Sequence, residues 1–88
     1  MSNKVYGIWN KGGINNQQWV EETIAKINAN FSNVTAEAVD SDHEMNDRHG
    51  IGRYPAFIAI KNDAVLDKKI GKFMNNEVEQ WLTNYGWD

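Results

Sequence analysis

Cysteine is absent from the 88-residue chain. Without a thiol there is no disulfide staple, no thiolate metal site and no thiol nucleophile, so three function classes fall together. No apolar run approaches the roughly 20 residues that cross a bilayer, and no charged-then-apolar leader follows Met1, so a cytoplasmic protein with no membrane partner is expected. Basic charge is thin as well. Nine Lys and Arg stand against twelve Asp and Glu, a formal charge of −3, and the longest basic run is Lys68-Lys69. A nucleic-acid surface needs clustered cations, so no nucleic-acid partner is expected. Proline occurs once, at Pro55.

What is present suits a compact core. The hydrophobic fraction is 41%, and four Trp, three Tyr and three Phe carry much of the burial in a chain this short. Residues 1–88 are read as one domain. Abundant asparagine beside lysine and isoleucine fits an AT-rich coding genome, bacterial or phage.

Hydrophobic periodicity orders the chain as β-α-β-α-β-β-α. Lys4 to Trp9 is β-branched or aromatic for the most part and ends at Asn10-Lys11-Gly12-Gly13, which reads as a first strand. A helix follows from Asn15 or Asn16 to Asn30, where Trp19, Val20, Thr23, Ile24, Ile27 and Phe31 form one apolar stripe. Asn15 or Asn16 suits an N-cap, and Glu21 and Glu22 favour the positive end of the helix dipole. Val34 to Val39 is a second strand, and a short polar helix is expected over Glu44 to His49. Ala56 to Lys61 and Ala64 to Ile70 form a hairpin around Asn62-Asp63. A last helix, capped by Asn75 or Asn76, runs to Tyr85 with Val78, Trp81, Leu82 and Tyr85 on one face. The fold class implied is α/β, a four-stranded mixed sheet with helices on both faces.

Pro55 heads the third strand, the position open to a residue that donates no ladder hydrogen bond. A cis Tyr54-Pro55 bond there would hold Arg53 and Tyr54 in a fixed, partly exposed bend.

In this order the motifs resemble the thioredoxin-like fold from Val5 to Leu82. Val39-Asp40-Ser41-Asp42 is similar to the family's strand ending Val-Asp-x-Asp. Gly50-Ile51-Gly52-Arg53-Tyr54-Pro55 resembles the Gly-Ile-x-x-x-Pro segment that carries its cis proline. Lys61-Asn62-Asp63, followed by Ile70-Gly71, matches its last hairpin and glycine. The departures bear on chemistry. Trp9 stands where the family's first core strand ends in tryptophan, and Gly12-Gly13-Ile14-Asn15-Asn16 falls where the family has Trp-Cys-Gly-Pro-Cys. Gly7 corresponds to the acidic residue that the family buries beneath its active cysteine. Disulfide exchange needs an attacking thiolate and a resolving sulfur, and neither is present. The loop from Asp42 to Pro55 is also shorter than in typical thioredoxins, so its helix is expected to be reduced.

The resemblance implies a groove beside the proline, in which the residue before it offers its backbone to an extended peptide or to glutathione. The expected groove residues are Gly12, Gly13, Ile14, Asn15, Arg53, Tyr54, Pro55, Gly71 and Lys72. No catalytic residue, cofactor or metal is assigned. Lys11-Gly12-Gly13 lacks the phosphate-loop pattern. Asp40, Asp42, His43, Glu44, Asp47 and His49 fail the calcium-loop spacing, with Met45 and Ile51 where Gly and Glu are needed. Of the four tryptophans, Trp9, Trp19 and Trp81 are expected in or near the core and Trp87 exposed. The functional expectation is a non-redox adaptor that binds another protein or an extended peptide and is not an enzyme. The alternatives are an enzyme-like domain that binds glutathione or another thiol substrate, and a structural subunit pairing through a sheet edge or helix face.

Overall fold

A computed structural model describes residues 3–12, 16–42, 51–71 and 77–87. Its elements are β1 (Asn3–Trp9), α1 (Gln17–Asn30), β2 (Thr35–Asp40), β3 (Ala56–Lys61), β4 (Ala64–Ile70) and α2 (Glu77–Thr83). The strands form one sheet in the order β2-β1-β3-β4. β1 and β2 are parallel, which requires the α1 crossover, whereas β1–β3 and β3–β4 are antiparallel. The sheet is therefore mixed, as the element order implies.

Position in the sheet explains the strand compositions. β3 is flanked on both sides and covered on both faces, so Ala56 to Ile60 is a continuous buried apolar run. Its two faces feed two cores. Phe57 and Ala59 join Val5, Val20, Ile24, Ile27, Val78 and Leu82 on the side that carries both described helices. Ala56, Ile58 and Ile60 join Ile8, Val39 and Ile51 on the other, where Tyr6 and Tyr54 pack against them. The helix expected over Glu44–His49 lies outside the described residues, so on this second face the described cover is Ile51 and Tyr54.

The β3–β4 hairpin turns at Asn62 and Asp63, whose φ values of 52° and 68° are the two positive angles that a type I′ turn needs. Asn tolerates that conformation through its short polar side chain. Beyond the turn the register slips between Ala59 and Ile60, leaving Leu66 as the extra residue of a bulge. The slip places Val65 and Ile70 on one side of β4 although they stand five positions apart, a spacing that would otherwise put them on opposite faces.

Asn16 is the N-cap of α1, one of the two residues expected there; its carbonyl accepts from the Val20 N–H at 2.9 Å, and its side chain makes no cap bond. Two local expectations are corrected. Glu21 and Glu22 lie past the first turn, where they accept from Gln17 and Gln18 rather than complementing the dipole. The last helix stops at Thr83, two residues before Tyr85, because the Tyr85 and Gly86 amides switch to carbonyls three residues back. Asn75 and Asn76 lie outside the described residues.

Trp87 is the third correction. It is buried, 3% exposed, within the helix-side core. Gly86, at φ 75°, reverses the chain after α2 and brings Trp87 to 6.0 Å from the Tyr85 ring. Trp9, Trp19 and Trp81 are half-buried against that same core, with Trp19 edge-on to Phe57 at 5.7 Å.

Candidate functional site

Strand direction gathers the expected site at one end of the sheet. β1 and β4 finish there, β3 begins there, and Ala56 pairs with both Ile8 and Ile70. Arg53 is exposed, Tyr54 half-buried and Pro55 buried. The Tyr54–Pro55 peptide is cis. Tyr54 donates its hydroxyl to the Ile51 carbonyl at 3.1 Å, anchoring the ring over the second core. Gly71, at φ 115°, donates its N–H to the Pro55 carbonyl at 2.8 Å, so the proline segment and the end of β4 are joined directly.

Gly12 is placed differently. Its N–H is taken by Asn10 Oδ1 at 3.1 Å, and the Lys11 N–H by Ser41 Oγ at 3.1 Å, which ties this turn to the β2 side. The Lys11 ammonium reaches Asp42 at 3.2 Å, and that carboxylate raises its pKa. With the Lys11 and Gly12 amides engaged, neither is open to an anion. Gly13, Ile14, Asn15 and Lys72 lie outside the described residues, as do His43, Glu44, Asp47 and His49. Among the described residues no three His, Asp or Glu converge to hold a metal ion, and no helix is long and apolar enough to cross a membrane.

Gly7 shows what became of the interior beneath this end. A Cβ built on it would lie 2.9 Å from Val20 Cγ1 and 3.0 Å from both Ile24 Cδ1 and Phe57 Cε1. Helix α1 and strand β3 thus fill the volume an acidic side chain would need, and they fill it with hydrocarbon. A carboxylate there would be desolvated with no partner. The sequence alone shows a glycine at position 7; the close packing around it comes from residues distant in the chain.

Sequence reasoning missed a polar cluster on the helix side of β4. Asp67 accepts from Tyr85 Oη at 2.5 Å and from Trp81 Nε1 at 3.1 Å, and its other oxygen from the Lys68 N–H at 2.8 Å. Hydrogen bonds from Tyr85, then Trp81, hold the Asp67 carboxyl below the usual carboxylate range. The same Asp67 contact pushes the Tyr85 phenol up. Being exposed, this cluster reads as a latch of α2 onto the edge strand rather than as a reactive centre. The only sequence signal was an acidic residue facing the same side as an aromatic helix stripe.

Two open clefts are bounded by described residues. One, of about 610 Å³, lies at the far end of the sheet among Asn3, Ser32, Asn33, Lys61, Tyr85 and Trp87. The other, of about 320 Å³, borders the end of β2 with Trp9, Glu21, Ala38, Asp40 and Asp42. Neither is lined by Arg53, Tyr54 or Pro55.

No family model matches the sequence, and no curated protein matches it. Solved structures do. Thioredoxin O2 of Arabidopsis thaliana in its oxidized state superposes with a TM-score of 0.75 at 11% identity, over 99% of this chain and 76% of that one. A malarial protein gives 0.74 at 15% identity, over 96% and 97% of the two chains. A chain from the structural study of thiol resolution in yeast mitochondrial 1-Cys peroxiredoxin gives 0.75 at 15% identity, over 94% and 78%. The chain has a thioredoxin-like fold. At these identities the likeness is one of fold alone, carried here by a sequence with no cysteine.

Proposed function

We propose that this protein is a non-redox, thioredoxin-like binding module that holds an extended segment of another protein beside Pro55 and acts by binding rather than by catalysis. The observation that carries the reading is the contrast at one end of the sheet. The interior at Gly7 is packed with Val20, Ile24 and Phe57, while the Arg53–Pro55 bend is retained at the surface and fastened to Gly71. Disulfide exchange through the chain's own sulfur is impossible, because it has no cysteine. An extended partner pairing along Arg53 and Tyr54 would gain affinity from main-chain hydrogen bonds with little demand on its sequence. Arg53, exposed next to that backbone, adds a cation that favours an acidic or carboxylate-bearing segment.

A peptide array probed with the purified chain tests this. Wild type is expected to retain a set of extended peptides that both Arg53→Glu and Tyr54→Asp lose. Arg53 is exposed, so its variant keeps the fold; a thermal melt checks the half-buried Tyr54 variant. Capture of the same peptides by Arg53→Glu and by a folded Tyr54→Asp would overturn the reading.

A further inference from the structure

Among the described residues β2 is an edge strand of the sheet. Along a strand, successive residues turn their N–H and C=O toward opposite edges, so every second residue of β2 faces away from β1. Ala36 is one of these. Its N–H donates to Asn28 Oδ1 at 2.9 Å, and its C=O accepts from Asn28 Nδ2 at 3.0 Å. One amide side chain from α1 therefore stands in for a neighbouring strand, but only at Ala36. The same alternation turns the backbone groups of Ala38 and Asp40 outward, and no other described element offers them a backbone partner. Both residues border the 320 Å³ cleft, with Trp9 on its wall.

Carboxylates outnumber cations around this open stretch. Glu21, Asp40 and Asp42 line the cleft. Among the described residues Glu21 accepts from the neutral Gln17 side chain, at 3.3 Å, and Asp40 from the Asp42 N–H at 2.9 Å. The nearby cation, Lys11, is spent on Asp42. A second copy meeting this edge through its own β2 would set acid against acid, which disfavours that occupant.

We propose that the β2 edge at Ala38–Asp40 takes an extended, lysine- or arginine-bearing segment of a partner protein by strand addition, with Asn28 as the stop that ends the added strand before Ala36. Ala38 and Asp40 supply the main-chain pairing, while Glu21 and Asp40 select cationic side chains on the incoming strand. This surface lies two strands away from the Arg53–Pro55 bend and does not depend on it.

The test titrates the ¹⁵N-labelled chain with an acetylated, amidated octapeptide alternating lysine and valine, and separately with its glutamate–valine counterpart. The lysine peptide is expected to slow amide exchange at Ala38 and Asp40, and to bind more weakly as salt rises. Ala38→Pro, which removes an outward donor at an edge where proline is tolerated, and Glu21→Lys are each expected to weaken binding about tenfold, which is about 1.4 kcal/mol. Asn28→Ala is expected to extend the protected stretch to Ala36, and Tyr54→Asp to change nothing. Glu21 is exposed, so its variant keeps the test alive should Ala38→Pro not fold. Equal protection by the glutamate peptide, protection mapping instead to Arg53–Gly71, indifference to Glu21→Lys, or no protection by either peptide would each overturn the proposal.

Discussion

Gly7 and the Arg53–Pro55 bend belong to the same end of one sheet, yet they are built in opposite ways. Around Gly7 three hydrocarbon side chains close to within 3.0 Å of the place a Cβ would take. Around the buried Pro55 the chain carries an exposed Arg53 and a half-buried Tyr54, with hydrogen bonds tying the segment to Ile51 and Gly71. The difference teaches that the two parts of this sheet end are separable. The interior is closed to a buried acid, while the surface bend keeps its anchors.

The comparison breaks first at Gly7. Gly7→Asp forces a carboxylate into hydrocarbon, and a loss of about 4 kcal/mol or more is expected from urea unfolding, enough to unfold much of a domain this small. Gly7→Ala should cost about 1–3 kcal/mol by overpacking alone. Pairing it with Ile24→Val, which removes the crowding Cδ1, is expected to recover part of that loss, and a double-mutant cycle reads the coupling.

A smaller effect should come from the Asp67 latch, which belongs to neither region and so serves as a control. Tyr85 and Trp81 hold the Asp67 carboxyl low, so its contribution is present above the ordinary carboxylate range and lost as pH falls through the lowered folded value. The Tyr85 phenol is raised, so its contribution is lost as pH climbs through a folded value above the ordinary phenol range. Asp67→Asn is expected to flatten the melting temperature at both extremes of pH and to leave peptide capture unchanged. A pH profile identical to wild type would remove the latch. The smallest effect on stability belongs to Arg53→Glu, expected within about 0.5 kcal/mol of wild type in the same unfolding experiment. That neutrality, set beside lost peptide capture, sharpens the contrast with Gly7.

Much of the frame was legible because it rests on local pattern. The Ala56–Ile60 run announces a strand covered on both faces, the Val20–Ile27 stripe a helix with one buried side, and Asn62-Asp63 a tight turn. What stayed hidden depends on residues far apart in the chain. The bulge at Leu66 changes which β4 residues share a face, and nothing in Ala64–Ile70 marks it. Trp87 follows a short helix, and only the reversal at Gly86 decides that it turns inward. Asn28 reads as an ordinary polar helix residue until β2 is placed beside it. At the candidate site, the joining of Pro55 to Gly71 follows from the hairpin, whereas the tie of the Gly12 turn to Ser41 does not.

The most direct test of the binding account is amide chemical-shift mapping of the ¹⁵N-labelled chain with the best peptide from the array. The account predicts shifts concentrated at Arg53, Tyr54 and Gly71 that vanish in Arg53→Glu. Shifts scattered away from that bend, or unchanged in the variant, would contradict it.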